Sequence, residues 1–163
     1  MPTIDQVREL LARHGLAVMD FDEPTPTSEA AARAVGCSLA EIAKTLLFFV
    51  GPSPVVVVAS GDVRVKGSKL KRASGRSGQV RLPNPDEVLR HTGYPAGGVC
   101  PFLLPETLPV LLDDSLMRFP VVYPSAGNAN SAVAVPLEVL RELTTGAGAQ
   151  VSEPVSPEGG GGG

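Results

Sequence analysis

Three stretches of the chain place residues where they could act on a substrate without a strong nucleophile. In EIAKTLLFFV, Lys44 stands where a predicted helix meets the first apolar run, flanked by Ile42, Ala43, Leu46 and Leu47, with Thr45 beside it. A lysine so placed either snorkels to solvent or, at the rim of a pocket, anchors a phosphate or polarises a carbonyl. In TGYPAGGVCPF, from Thr92 to Phe102, Gly93, Gly97 and Gly98 are interleaved with Pro95 and Pro101. Proline stiffens such a loop and glycine lets backbone N–H groups approach a ligand. The segment is therefore an ordinary turn or a shaped donor loop for a carbonyl oxygen, and in the second case a Cβ at Gly97 would crowd that approach. The third stretch, VVYPSAGNANSAVAV, ends a strand in Ser125, Ala126, Gly127 and Asn128. These residues either join two strands or present hydrogen-bonding groups beside the same pocket.

Other chemistry is scarce. His14 and His91 are the only histidines and each sits at a predicted helix end, where His14 is a favourable terminal cation and His91 closes its helix rather than serving as a base. G-x-S-x-G, H-E-x-x-H, a Walker loop and a post-strand G-x-G-x-x-G are all missing, which argues against a conventional hydrolase triad. Cys37 and Cys100 lie far apart without a CxxC or a histidine ladder. They read as small buried hydrophobes, and neither a zinc site, a disulfide framework nor an organic cofactor is expected.

At 163 residues, 43% hydrophobic and 19% charged, the chain has the make-up of one soluble globular domain. No apolar run reaches the roughly 18 residues that span a bilayer, and the start MPTIDQVREL lacks a signal-peptide pattern, so a cytoplasmic protein with no membrane partner is expected. The net charge of −3 hides an uneven distribution. Arg64, Lys66, Lys69, Lys71, Arg72, Arg76 and Arg81, half of the 14 basic residues, fall in one acid-free run. Such a run is a solvated face or a draw for a polyanion such as RNA, with Lys69, Lys71 and Arg72 as candidate phosphate contacts.

The elements that must position these residues follow from periodicity and punctuation. Ile4, Val7, Leu10 and Leu11 share a helical face after Thr3, and LAVMDF reads as a strand. A helix runs from the Thr27/Ser28 cap to Gly36, and another is predicted from Ser38, whose spacing to Glu41 is that of a capping box. LLFFV and VVVVA are adjacent buried strands joined by a tight turn at GPSP. A short helix at SKLKRAS, a strand at QVRL and a helix opened by Pro85 precede the glycine loop. LPVLLD, PVVYPS and SAVAV read as strands, with a helical turn at DSLMRF, and PLEVLREL as a helix with Pro136 at its first position. Residues 146–163 lose periodicity and are expected to form a flexible Gly/Pro-rich tail behind a domain at 1–145. Strands mixed with short helices, without regular βαβ spacing, point to an α+β domain.

Taken together, IAKTLLF, TGYPAGGVCPF followed by LPVLLD, and VVYPSAGNANSAV resemble, in order and spacing, the landmarks of the YbaK/EbsC family, which is similar to the editing domain inserted in bacterial prolyl-tRNA synthetases. The resemblance covers roughly Ile4 to Leu143. It implies a single α+β domain with a mixed, curved, barrel-like β-sheet flanked by short helices. It also implies hydrolysis in trans of mischarged aminoacyl-tRNA, foremost tRNA(Pro) carrying Cys, Ala, Ser or Thr, with prolyl-tRNA synthetase as a potential partner and no DNA. Lys44 then corresponds to the family's functional lysine, near the terminal adenosine and its phosphate. Gly97 and Gly98 correspond to its catalytic glycine loop, and Thr45, Gly93, Pro101, Ser125, Ala126, Gly127 and Asn128 to substrate contacts. Asp113 also matches and reads first as structural. The same fold could instead serve a non-catalytic tRNA- or synthetase-binding module, or a regulatory small-molecule binder.

Overall fold

The computed structural model describes residues 2–155. The chain runs through α1 (Ile4–Ala12), β1 (Val18–Asp20), α2 (Ser28–Val35), a 3-10 turn (Leu39–Glu41), β2 (Ala43–Val50), β3 (Ser53–Ser60) and β4 (Val63–Val65). There follow α3 (Gly67–Ser74), β5 (Val80–Arg81), α4 (Pro85–Thr92), β6 (Val110–Asp113), a second 3-10 turn (Asp114–Arg118) and β7 (Val121–Val122). The last elements are β8 (Ser131–Val133), β9 (Val135–Pro136), α5 (Leu137–Thr144), β10 (Ala147–Ala149) and β11 (Ser152–Pro154).

The β2–β3 hairpin is the centre of the molecule. It pairs along its whole length, from Ala43 opposite Ser60 to Val50 opposite Ser53, across the tight turn expected at GPSP. Side chains alternate between the two faces of a strand. Ala43, Leu47, Phe49, Val56 and Val58 therefore enter one core cluster with Val7 and Leu11 of α1, Val88 of α4 and Leu140 of α5. Phe48, Val50, Val55, Val57 and Ala59 enter a second with Val63, Leu70 of α3 and Val151. Cover on both faces is why these strands read as unbroken apolar runs. The sheet is mixed, in the order β10-β6-β3-β2-β5, with β6 parallel to β3 and β2 antiparallel to it.

The helices begin and end largely where their caps predict. Thr3 and Gln6, and Asn84 and Glu87, form reciprocal capping boxes, while Gly36, Gly75 and Gly93 close α2, α3 and α4 in the left-handed region. Pro136 caps α5 rather than occupying its first turn.

The structure also corrects particular expectations. The helix expected from Ser38 is a single 3-10 turn, although its Ser38–Glu41 capping box is present. The Ala43 amide goes to the Tyr123 carbonyl at 3.1 Å and β2 pairs with β3 from its first residue, so tertiary pairing ends the helix. SAVAV is two short strands, β8 and β9, each with a different partner, β1 and β7. The hydrogen-bonded ladders form a mixed five-stranded sheet and three two-stranded ribbons, in keeping with the expected α+β domain. Finally, the tail does not start at 146: β10 pairs parallel with β6 and β11 pairs antiparallel with β4, because backbone pairing needs no apolar periodicity. The rest of that expected tail, residues 156–163, lies outside the described residues. Cys100 is buried as expected, whereas Cys37 is only half-buried.

Asp113, fully buried at the end of β6, ties the late segments together. Its carboxylate accepts from the Val151 amide at 2.9 Å, the Ser152 hydroxyl at 2.6 Å and the Ser115 amide at 3.1 Å. Burial pushes its pKa up, but the hydrogen bonds from Ser115, Ser152 and Val151 together outweigh this and hold the carboxyl below its ordinary value. A carboxylate depressed in the folded state contributes stability that is present above its unfolded pKa and lost as pH falls through the folded one. Asp113→Asn is expected to lose about 3 kcal/mol of unfolding free energy at neutral pH. Urea denaturation at several pH values should show the gap to wild type narrowing once pH falls below about 4; a gap that stays constant would contradict the assignment.

Candidate active site

A cavity of about 980 Å³ opens at the start of β2. Its walls are Ile42–Leu46, the segment leading into α2 from Thr25, the Gly61–Asp62 turn between β3 and β4, Gly97 and Val99 of the glycine loop, and residues from Tyr123 to Ala132. Lys44, Thr45, Gly97, Ser125 and Asn128 all line it. The three stretches singled out in the sequence thus meet in one place.

Lys44 lies on β2 opposite Ala59, on the face of the second core cluster, and is half-buried. Its ammonium donates to the carbonyl of Val63. Burial pulls its pKa below the ordinary lysine value, while the charges of Glu29 and Asp62 oppose that shift. Asp62 is held by a two-pronged pair with Arg118, at 2.6 and 2.9 Å, and the Arg118 hydrogen bond is the main cause of its lowered pKa. Asp62 therefore stays ionised beside Lys44, and an incoming anion meets a cation whose carboxylate neighbour is already committed.

Thr45 faces the other side of the strand. Its hydroxyl oxygen is buried and, among the described residues, has no hydrogen-bond partner, as is also true of Ser60, its diagonal neighbour across the β2–β3 ladder. Buried hydroxyls are seldom left unpaired, and of these two Thr45 lines the cavity while Ser60 does not.

The glycine loop divides into parts with different duties. Gly93 caps α4, its amide donating to Leu89 at 2.9 Å, and packs on Pro2 away from the cavity. Gly97 is exposed at the cavity with φ +85°, and a Cβ there would meet nothing within 4 Å. The expected crowding at Gly97 is thus corrected: glycine is favoured there by the left-handed backbone, not by a close neighbour. Gly98 is buried, donates its amide to the Pro95 carbonyl at 2.9 Å, and faces the Asn128 backbone, where a Cβ would approach Cα to 3.3 Å. Pro101 is buried next to Phe102. Tyr94, buried at the base of the loop, donates its hydroxyl to the Phe102 carbonyl and closes the loop on itself.

The Ser125–Asn128 turn is fastened to that loop. Ser125 donates to the Val99 carbonyl at 2.9 Å, and the amide of buried Ala126 donates to the Ser131 hydroxyl at 3.2 Å. Gly127 is folded against Tyr94 and α1, and Asn128 accepts from the Asn130 amide at 3.1 Å. Ala126 and Gly127 shape the turn from behind; Ser125 and Asn128 face the cavity. His91 lies outside the cavity, edge-on to Phe49 at 5.2 Å.

The basic segment is less free than its sequence suggests. Arg64 and Lys66 pair with Glu153, Lys69 donates to the Ser152 carbonyl at 2.8 Å, Arg76 to that of Pro54 at 2.9 Å, and Arg81 makes a two-pronged pair with Glu87. Among the described residues, Lys71 and Arg72 keep exposed side chains without such a partner. None of Lys69, Lys71 and Arg72 lines the cavity.

Sequence reasoning missed the Val63 carbonyl, Ser131, the Thr25–Glu29 approach and Val155, which all border or support the cavity. A backbone carbonyl has no sequence signal, and Val155 sits in the stretch read as tail. Among the described residues no group of three His, Cys, Asp or Glu side chains could hold a metal ion, and no helix is long and apolar enough to cross a membrane.

Comparison with known proteins agrees with this geometry. Residues 22–143 match the model of the aminoacyl-tRNA editing domain. The uncharacterized protein YwhH of Bacillus subtilis (strain 168) is 39% identical over 128 residues, covering 78% of this chain and 80% of that protein. The crystal structure of a candidate trans-editing enzyme for prolyl tRNA synthetase superposes with a TM-score of 0.82 at 30% identity, over 94% of this chain and 98% of the other. That of hypothetical protein APE2540 gives 0.79 at 33% identity, over 90% and 99%. The chain belongs to the aminoacyl-tRNA editing domain family, and so to the enzymes that deacylate aminoacyl-tRNA.

Proposed function

We propose that this protein removes a small wrong amino acid, Cys, Ala, Ser or Thr, from mischarged tRNA, foremost tRNA(Pro), acting in trans beside prolyl-tRNA synthetase. The observation that carries this reading is that Lys44, Gly97, Ser125 and Asn128, from three separate stretches of the sequence, line one cavity. The likeness to a candidate trans-editing enzyme for prolyl tRNA synthetase supports the choice of tRNA.

An ester at a tRNA 3′ end is already activated, so positioning and charge stabilisation can suffice. Water adds to the ester carbonyl carbon, the carbonyl oxygen takes up negative charge, the bond to the ribose oxygen breaks, and that oxygen leaves with a proton as the free hydroxyl. The exposed Gly97 peptide is suited to donate to the oxyanion, since the Gly98 amide is already used within the loop. The neighbouring ribose hydroxyl assists the proton transfer. Lys44 supplies a cation for the phosphate of the terminal nucleotide. The Ser125–Asn128 turn bounds the acyl pocket, where size alone distinguishes neighbouring amino acids by only about 1–3 kcal/mol per methylene. Excluding the larger prolyl ring sterically is the stronger device.

Release of labelled amino acid from tRNA(Pro) charged in turn with Ala, Cys, Ser, Thr and Pro tests the reading. One misacylated species should be cleared selectively and the prolyl ester spared; equal clearance of all five, or of none, would refute it. Lys44→Ala should lower kcat/KM by about 100-fold without lowering thermal stability, and a fully active variant removes Lys44 from the mechanism. Gly97→Ala should cut turnover by straining the left-handed backbone that presents the donor, and Gly98→Ala by pressing its Cβ on the Asn128 backbone; full activity of either variant in the same assay would count against that part of the loop's role. Lys71→Ala with Arg72→Ala should weaken tRNA binding and lower the slope of log affinity against log salt by about 1–2, whereas Arg64→Ala, already paired with Glu153, should change it less.

A further inference from the structure

We propose that the C-terminal strap, residues 147–155, is a positioning element of the active site that sets Lys44 through the carbonyl of Val63; its catalytic consequence rests on the deacylase reading above. The strap lies beyond the residues matched by the editing-domain model. It nevertheless supplies, among the described residues, the sole strand partner of β4, in a two-stranded ribbon with Ser152 opposite Val65, Glu153 opposite Arg64 and Pro154 opposite Val63.

The register decides where the Val63 carbonyl points. The Lys66 amide donates to Val151 at 2.8 Å and the Val155 amide to Asp62 at 3.4 Å. In an antiparallel ribbon hydrogen-bonded and non-hydrogen-bonded pairs alternate. The pairs at 66 and 62 are bonded, so the one at 64 is bonded too, and Val63 opposite Pro154 is a non-bonded pair. The Val63 carbonyl is thereby turned away from the strap and takes the Lys44 ammonium. Pro154 is tolerated for the same reason, since an amide at its position would donate nothing to β4. If β4 instead presented its other edge to the strap, that carbonyl would be taken up by the ribbon and Lys44 would lose its acceptor.

The strap is anchored at both ends. Buried Asp113 holds Val151 and Ser152, and Lys69 holds the Ser152 carbonyl at 2.8 Å. At the other end Val155 is itself a wall of the cavity. One chain of contacts therefore links the sheet, the strap, β4 and the lysine.

The test uses the full-length protein. Glu153→Pro puts a proline at the bonded position of the ribbon, while Glu153→Ala removes the ion pairs with Arg64 and Lys66 but keeps the amide. Lys44 is probed by competitive acylation with acetic anhydride, its labelling rate taken relative to exposed Lys71 by mass spectrometry. Glu153→Pro should raise the relative labelling of Lys44 several-fold and Glu153→Ala should not. On mischarged tRNA, Glu153→Pro should lower kcat/KM about tenfold, and should add nothing in a Lys44→Ala background. Unchanged Lys44 labelling in a folded Glu153→Pro protein, or losses that multiply in the double variant, would overturn the proposal. If Glu153→Pro does not fold, Ser152→Ala, which loosens the same anchor, is read by the same labelling, with the same two outcomes. Absence of release by wild type would sink the deacylase reading alone, because the labelling ratio decides the strap without turnover.

Discussion

A single buried carboxylate holds the later half of this fold in place. Asp113 has no access to solvent, and its two oxygens accept from Val151, Ser152 and Ser115. The Ser115 hydroxyl in turn accepts from the Ser60 amide at 3.0 Å, so the end of β3, the 3-10 turn after β6 and the strap converge on one charge. A buried anion is tolerable only when such donors replace its lost hydration. The consequence is that a segment without apolar periodicity becomes part of the framework, and Val63, Asp62 and Val155 acquire fixed places around the cavity.

The central hairpin explains the character of that cavity. Because both faces of β2 are covered, the strand carries Lys44 into one layer and Thr45 into the other, and the cavity opens where the layers end. Half-burial lowers the pKa of Lys44 while Glu29 and Asp62 favour its charged form. Asp62 cannot swing to neutralise the lysine, since Arg118 holds both its oxygens. The remaining walls are loops tied to one another: Ser125 to Val99, Ala126 to Ser131, Gly98 to Pro95.

Folding also redistributes charge. The acid-free run from Arg64 to Arg81 meets Glu153 and Glu87 only in three dimensions, and backbone carbonyls take Lys69 and Arg76. What stays available to phosphate is narrower than the sequence count, and is concentrated on the outer side of α3 at Lys71 and Arg72. Exposed pairs such as Arg64–Glu153 contribute little stability in themselves. Their effect here is on which cations remain for a nucleic acid.

The sequence by itself determined the local elements and the site's cast. Thr3, Thr27, Asn84 and the closing glycines stop and start helices through bonds within a few residues, and the apolar runs of β2 and β3 could bury themselves only as a covered hairpin. Lys44, the glycine loop and the Ser125 turn were visible because glycine, proline and a lone charge among apolar residues are informative without any partner. The tertiary structure decided what depends on distant partners. It turned the Ser38 helix into a strand entry through Tyr123, separated Gly97 at the cavity from Gly98 in the packing, and converted a supposed tail into the strap that pairs with β4, whose Val63 carbonyl meets Lys44. Those outcomes rest on backbone groups and on pairing register, and a backbone carbonyl is the same in every residue, so no pattern of side chains announces where it will point.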